Sequence, residues 1–184
     1  GVPFSFTGHA ADLYRERVAL EDKIRRAEFI VCISEFHRKF FLDLGARPEQ
    51  LHTVYCGIDV THFSPKPPSV LGDGVAHIVS SGRLVEKKGF LYLVEACRIL
   101  AARGVPFRCT IGGNGPQESE IRQRIAQHGL DLQVVLTGKA LTQEELPSFL
   151  QAADIYTLPC VWAQDGDVDG LPQMLMEAMA CGVP

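Results

Sequence analysis

The chain has 184 residues, 46% hydrophobic and 22% charged, with a net charge of −4. That length suits one comfortable domain or parts of two, and the composition is that of an ordinary soluble globular protein. The acidic balance gives no general attraction to nucleic acid, and no uninterrupted apolar run approaches the roughly 20 residues of a spanning helix.

In chain order, Phe4-Ser5-Phe6 reads as a strand, and His9 follows it at the start of a helix over residues 11–26. That helix is expected to turn Leu13, Val18, Leu20 and Ile24 inward. Phe29-Ile30-Val31-Cys32-Ile33 is a continuous apolar run, as in a strand buried on both faces. Ser34 then caps a helix that runs to about Leu44 and stops at Gly45, and residues 51–56 form the next strand. Residues 61–74 hold three prolines and two glycines and are the linker candidate.

Beyond the linker, strands and helices alternate afresh. Strands are expected at 75–81, 107–111, 132–137 and 154–158, and helices at 88–103, 117–128, 143–151 and 172–181. The helix at 88–103 would bury Leu93, Ala96, Cys97 and Leu100. Four strand–helix units in a row predict a parallel, doubly wound α/β sheet, which binds ligands outside the carboxyl ends of its strands. The six cysteines form no CxxC pair and most lie in apolar surroundings, so they read as buried free thiols in a reducing compartment, which favours the cytoplasm. No start methionine or signal-peptide pattern stands at Gly1-Val2-Pro3, and Gly182-Val183-Pro184 is a helix-stop signal of the kind that leads into another strand. Both ends read as cuts in a longer protein.

Four loops carry chemistry. Gly82-Arg83-Leu84-Val85-Glu86-Lys87-Lys88-Gly89 follows a strand and sets two cations, Arg83 and Lys88, near a helix N-terminus, an arrangement that suits a diphosphate or makes a solvated turn. Gly112-Gly113-Asn114-Gly115-Pro116 is a phosphate or sugar cradle or a plain tight turn, with Pro116 opening the next helix; Glu118 stands where a dinucleotide fingerprint needs its third glycine. From Gly170 to Pro184 the only charged residue is Glu177, a carboxylate costly to bury unless a partner or a bound polyol meets it. Just upstream, Asp169 and Gly170 precede Pro172, which could open that helix with free amides facing a ligand. His9 could orient a substrate oxygen or a proton. Asp165, Asp167 and Asp169 mimic a calcium loop, but Met176 falls on the position that requires glutamate, and no metal is expected.

Together, Thr7–Tyr14, Tyr55–Phe63, Gly82–Gly89, Gly112–Pro116 and Asp169–Pro184 resemble, in order and spacing, glycosyltransferase family 4. Those are retaining enzymes with the GT-B fold of two Rossmann-like domains. The resemblance implies that residues 1–60 end an acceptor-side domain, that 61–74 link the domains, and that 75–184 form most of a nucleotide-sugar-binding domain, both domains being incomplete. It implies a UDP- or GDP-sugar as donor substrate with no other cofactor. The acceptor would be a saccharide or glycolipid, and the setting envelope or exopolysaccharide biosynthesis in the cytoplasm or at the cytoplasmic face of the membrane, with peripheral membrane association through the missing N-terminal part.

By the same resemblance Gly82, Arg83 and Lys88 hold the departing diphosphate. Asn114 and Gly115 form the cradle, and Lys139 lies near the base. Glu177 takes the ribose hydroxyls, amides near Gly170 and Leu171 meet the phosphate or sugar, and His9 contacts the donor sugar. Asp169 stands where the family has the first glutamate of an E-x7-E pair, one methylene shorter. The rivals are a binding-only module, which need not keep both Arg83 and Lys88, and a GT-B nucleotide-sugar epimerase.

Overall fold

The computed structural model describes residues 2–9, 11–15, 17–65 and 74–184, so residues 66–73 of the expected linker lie outside the described residues. The chain divides into two compact units, Gly1–Gly57 with Trp162–Pro172, and Ile58–Val161 with Gln173–Pro184.

The first unit is a parallel three-stranded sheet in the order β1 (Ser5–Thr7), β2 (Phe29–Cys32), β3 (Leu51–Thr53). Phe6 pairs with Ile30 and Ile30 with Leu51. Between the strands run α1 (Leu20–Arg26) and α2 (Glu35–Asp43). Ile30 and Cys32 are buried, whereas Phe29 is 40% exposed, so β2 buries one face and not both.

Ser34 caps α2 as its position predicts: its Oγ accepts from the His37 amide at 3.2 Å, an interaction worth about 1 kcal/mol. Gly45 follows that helix at φ 85. His37 and Phe41, one turn apart, are the side chains α2 buries. The buried Gln50 donates through Nε2 to the carbonyl of Ile24 at 2.9 Å and so ties β3 to the end of α1.

The helix expected over 11–26 is two pieces. A single π-type turn, Ala11–Arg15, is separated from α1 by a turn in which Leu20 N–H donates to the Arg17 carbonyl and Ala19 is left-handed at φ 52, ψ 27. The break lets Leu13, Leu20 and Ile24 all reach the core, and leaves Val18 74% exposed. With no glycine or proline at the break, apolar spacing carries no trace of it.

The second unit holds β4 (Ala76–Ser81), β5 (Phe107–Gly112), β6 (Val134–Leu136) and β7 (Ile155–Tyr156) in the order β6-β5-β4-β7, every pair parallel. Its helices are α3 (Phe90–Ala102), α4 (Glu118–Gln127), α5 (Leu146–Gln151) and α6 (Gln173–Ala180). The four expected strand–helix units are all present, most elements trimmed at their ends and β5 one residue longer than expected. The order reverses between β4 and β7, the kind of switch point at which doubly wound sheets bind ligands.

Helix α3 starts two residues later than expected, because Lys88 belongs to a 3-10 turn, Glu86–Lys88, and Gly89 is left-handed at φ 71. Its buried stripe is Phe90, Leu93, Val94 and Cys97; Ala96, expected inside, is exposed, since the larger residues at i, i+3, i+4 and i+7 set the face. Helix α4 begins at Glu118, so Pro116 lies in the turn ahead of it, and Pro172 precedes α6. All six cysteines are free thiols, four of them buried. Among the described residues no helix is long and apolar enough to cross a membrane.

A Cβ on Gly89 would stand 1.8 Å from the carbonyl oxygen of Pro159. Gly89→Ala should therefore cost at least about 2 kcal/mol of stability in urea unfolding, through backbone strain and overpacking. Ala96→Ser, on the exposed face of α3, should stay within about 0.5 kcal/mol.

Candidate functional site

Strands β4 and β5 are in register to their last residues, Ser81 beside Gly112, so the two loops that follow leave the sheet side by side. They stay zipped. Gly82 N–H donates to the Gly112 carbonyl at 3.0 Å, Leu84 N–H to Asn114 at 2.9 Å, and Gln117 N–H to Leu84 at 3.0 Å. A Cβ on Gly113, at φ 143, would stand 2.0 Å from the Gly82 carbonyl oxygen, so only glycine lets the loops approach this closely.

Past this seam opens a cavity of about 580 Å³, floored by Gly82, Gly113, Asn114 and Gly115 and walled by Arg83 and Met174 among others. Such a volume falls in the range of small-molecule sites. Arg83 is exposed at its rim. The Lys88 stem lies alongside, its Cε 3.6 Å from where a Gly82 Cβ would be.

Of the residues expected at the donor site, Gly82, Arg83, Asn114 and Gly115 line this cavity and Lys88 borders it. Lys139 is not in the lining; its ammonium pairs with Glu145. Glu177 lies one turn after the lining residue Met174 on α6. It is 5% exposed, and its Oε2 has no hydrogen-bond partner in the protein. Burial pushes its carboxyl up from the usual range, and the charge of His62 opposes that in part.

In the other unit, His9 is exposed, and its amide donates to the Asp12 carboxylate at 3.2 Å. Asp169, Gly170 and Leu171 are half-buried.

Residue-type reasoning left several participants unassigned. His62 lies in the Tyr55–Phe63 stretch that carries the resemblance, without a role of its own. Asp59 builds a turn under it, accepting at Oδ1 from Thr61 N, Thr61 Oγ1 and His62 N, and His62 Nε2 meets the Gln143 carbonyl at 2.9 Å. Those bonds, led by the Thr61 hydroxyl, hold the Asp59 carboxyl below its usual range. Ser81 lines the cavity with its hydroxyl buried and unpartnered, while its carbonyl accepts from Tyr156 Oη at 3.2 Å. Burial raises the Tyr156 phenol to about 12, so it stays a donor. A serine ending an apolar strand gives no signal of this in the sequence.

The family model for glycosyl transferases group 1 matches residues 66–184. The chain belongs to that family. The group 1 transferase chain is 38% identical over 160 residues to the putative colanic acid biosynthesis glycosyltransferase WcaL of Escherichia coli (strain K12), covering 87% of this chain and 39% of the relative. It is 36% identical over 182 residues to the amylovoran biosynthesis glycosyltransferase AmsK of Erwinia amylovora, covering 96% and 44%. The chain thus spans about two fifths of the length of these curated relatives.

Among solved structures, Anabaena Alr3699/HepE in complex with UDP-glucose superimposes with a TM-score of 0.77 at 21% identity, over 99% of this chain and 52% of that one. That likeness, with the two parallel sheets, makes the architecture that of the GT-B glycosyltransferases.

Glu177 favours the folded state while protonated, below about pH 4.5, and that contribution is lost as pH rises through its raised folded value. Glu177→Gln should therefore be more stable than the wild type at neutral pH, with the difference closing as the pH falls toward 4. Paired thermal melts across pH 4–8 read this directly. A difference that does not change with pH would mean that Glu177 is not a desolvated carboxylate.

Proposed function

We propose that the chain is part of a retaining hexosyltransferase of glycosyltransferase family 4, which moves a sugar from a UDP- or GDP-sugar to a saccharide or lipid-linked acceptor. The observation that carries this is the glycine-floored cavity at the carboxyl ends of β4 and β5, with Arg83 at its rim and Lys88 beside it. A diphosphate needs close backbone approach and nearby cations, and both are present.

Glu177 supplies the second requirement. A buried carboxylate oxygen without a partner is a standing cost, and two vicinal ribose hydroxyls would relieve it. Family membership and the names of the relatives support the transfer reaction and a polysaccharide pathway, and the UDP-glucose held by the Anabaena protein supports the donor class. An acceptor on a lipid carrier would bring the protein to the cytoplasmic face of the membrane.

In the reaction, the bond between the anomeric carbon and the diphosphate oxygen breaks, and the nucleoside diphosphate leaves with the electron pair. Arg83 and Lys88 stabilise the charge that develops on its phosphate oxygens, each worth roughly 3 kcal/mol of barrier if well placed. The acceptor hydroxyl adds to the oxocarbenium-like carbon on the same face and gives up its proton to a phosphate oxygen of the departing nucleoside diphosphate. His9 and Asp169 are the residues we assign to the transferred sugar. Asn114, Gly115 and the amides of Gly170 and Leu171 are assigned to the phosphates and sugar, and Lys139 to the neighbourhood of the base.

Calorimetric titration of UDP-, GDP- and ADP-sugars into the full-length protein tests this. One donor should bind, and Arg83→Ala and Glu177→Ala should each weaken it about 10- to 100-fold, the equivalent of a charged hydrogen bond. A folded protein that binds no donor would sink the site assignment.

A further inference from the structure

One buried residue of the first unit has no part in the reading above. His37, on α2, is 1% exposed, and neither Nδ1 nor Nε2 has a hydrogen-bond partner in the protein. Its ring stands 5.8 Å from that of Tyr14 and 6.4 Å from that of Phe36. In such surroundings two unbonded ring nitrogens are a liability that a phenyl ring would not carry. Burial, with a further contribution from His9, holds the His37 imidazole below its ordinary pKa, so it is neutral at physiological pH.

The position of Nε2 gives this liability a meaning. A Cβ on Gly170 would stand 2.3 Å from His37 Nε2 and 2.9 Å from Cδ2. The backbone of the Asp169–Gly170–Leu171 segment therefore lies directly against the nitrogen edge of the imidazole, at a contact no larger residue could make. The segment is anchored in the same unit by Val168, which packs in its core, and by Asp165, which pairs with Arg15 at 3.2 Å.

We propose that His37 is a positioning residue for the transferred sugar: its Nε2 edge, packed against Gly170, sets the place of the Asp169–Leu171 backbone. This rests on the assignment of Asp169–Leu171 to the donor sugar. Phenylalanine carries a larger ring that would press on Gly170, so the small imidazole edge is what the role requires.

The test compares binding of the nucleotide sugar with binding of the nucleoside diphosphate alone, by calorimetry on the full-length protein. Gly170→Ala should weaken the nucleotide sugar at least tenfold and change the nucleoside diphosphate less than twofold. Adding His37→Ala should recover part of that loss, because it removes the atom the new methyl meets. His37→Phe, with its larger ring against Gly170, should lower the sugar-dependent part of the affinity several-fold. If the nucleotide sugar binds the wild type but the Gly170 and His37 effects simply add, or His37→Phe binds like the wild type, the positioning role is wrong and the donor site stands. A wild type that binds neither ligand sinks the donor site, and this role with it.

Discussion

The contact on which the rest of the second unit depends is the approach of two loops at the end of its sheet. Gly113 lies so near the Gly82 carbonyl that a methyl group would fall 2.0 Å from it. That closeness keeps the two loops hydrogen-bonded for several residues after the strands stop pairing. The extended seam turns a sheet edge into a floor. On it, backbone and small side chains face an opening of about 580 Å³, and the cations of the first loop stand at its margin. Larger residues at these positions would push the loops apart, and the cavity would lose its base.

Polar atoms left without partners mark where the molecule departs from a fold made only for stability. Buried polar groups in native proteins are overwhelmingly bonded, so the exceptions are informative. Here they include Glu177 Oε2, the Ser81 hydroxyl and both nitrogens of His37. Glu177 and Ser81 belong to the second unit, on α6 and at the end of β4. His37 lies in the first, against the Asp169–Leu171 segment. Each unit also holds an apolar cluster formed mostly of residues at helix and strand spacing. Glu177 and Ser81 lie in or beside segments that carry the family's motifs, whereas others, such as Gln133 Oε1, do not.

Surface electrostatics add less. The pairs Arg25–Asp22, Arg98–Glu95 and Arg122–Glu118 are helical neighbours with solvent-exposed side chains, of the sort that contribute little to stability. Lys139 is drawn into a similar pair with Glu145. The bonds that shape the second unit's loops are instead backbone bonds and turns capped by one carboxylate, as at Asp59 under Thr61 and His62. Such local bonds fix where a side chain begins, which matters more for a site than a surface ion pair does.

The sequence by itself determined the α/β class, the alternation of four strands and helices after residue 75, the Ser34 cap and the glycine-rich loops. Each of these is written in local periodicity or in residues with a single conformational use. Its motifs also placed Gly82, Arg83, Asn114 and Gly115 together, because consecutive parallel strands deliver their following loops to one edge. Only the tertiary structure decided the rest. The break before α1 came from the need to bring Leu13, Leu20 and Ile24 into one core, through a left-handed alanine that no pattern announces. The face of α3 turned to bury Val94 rather than Ala96, because packing chose the larger side chains. Burial of Glu177 and His37 without partners, and the contact of His37 with a glycine more than a hundred residues away, depend on long-range packing, which residue type and spacing do not encode.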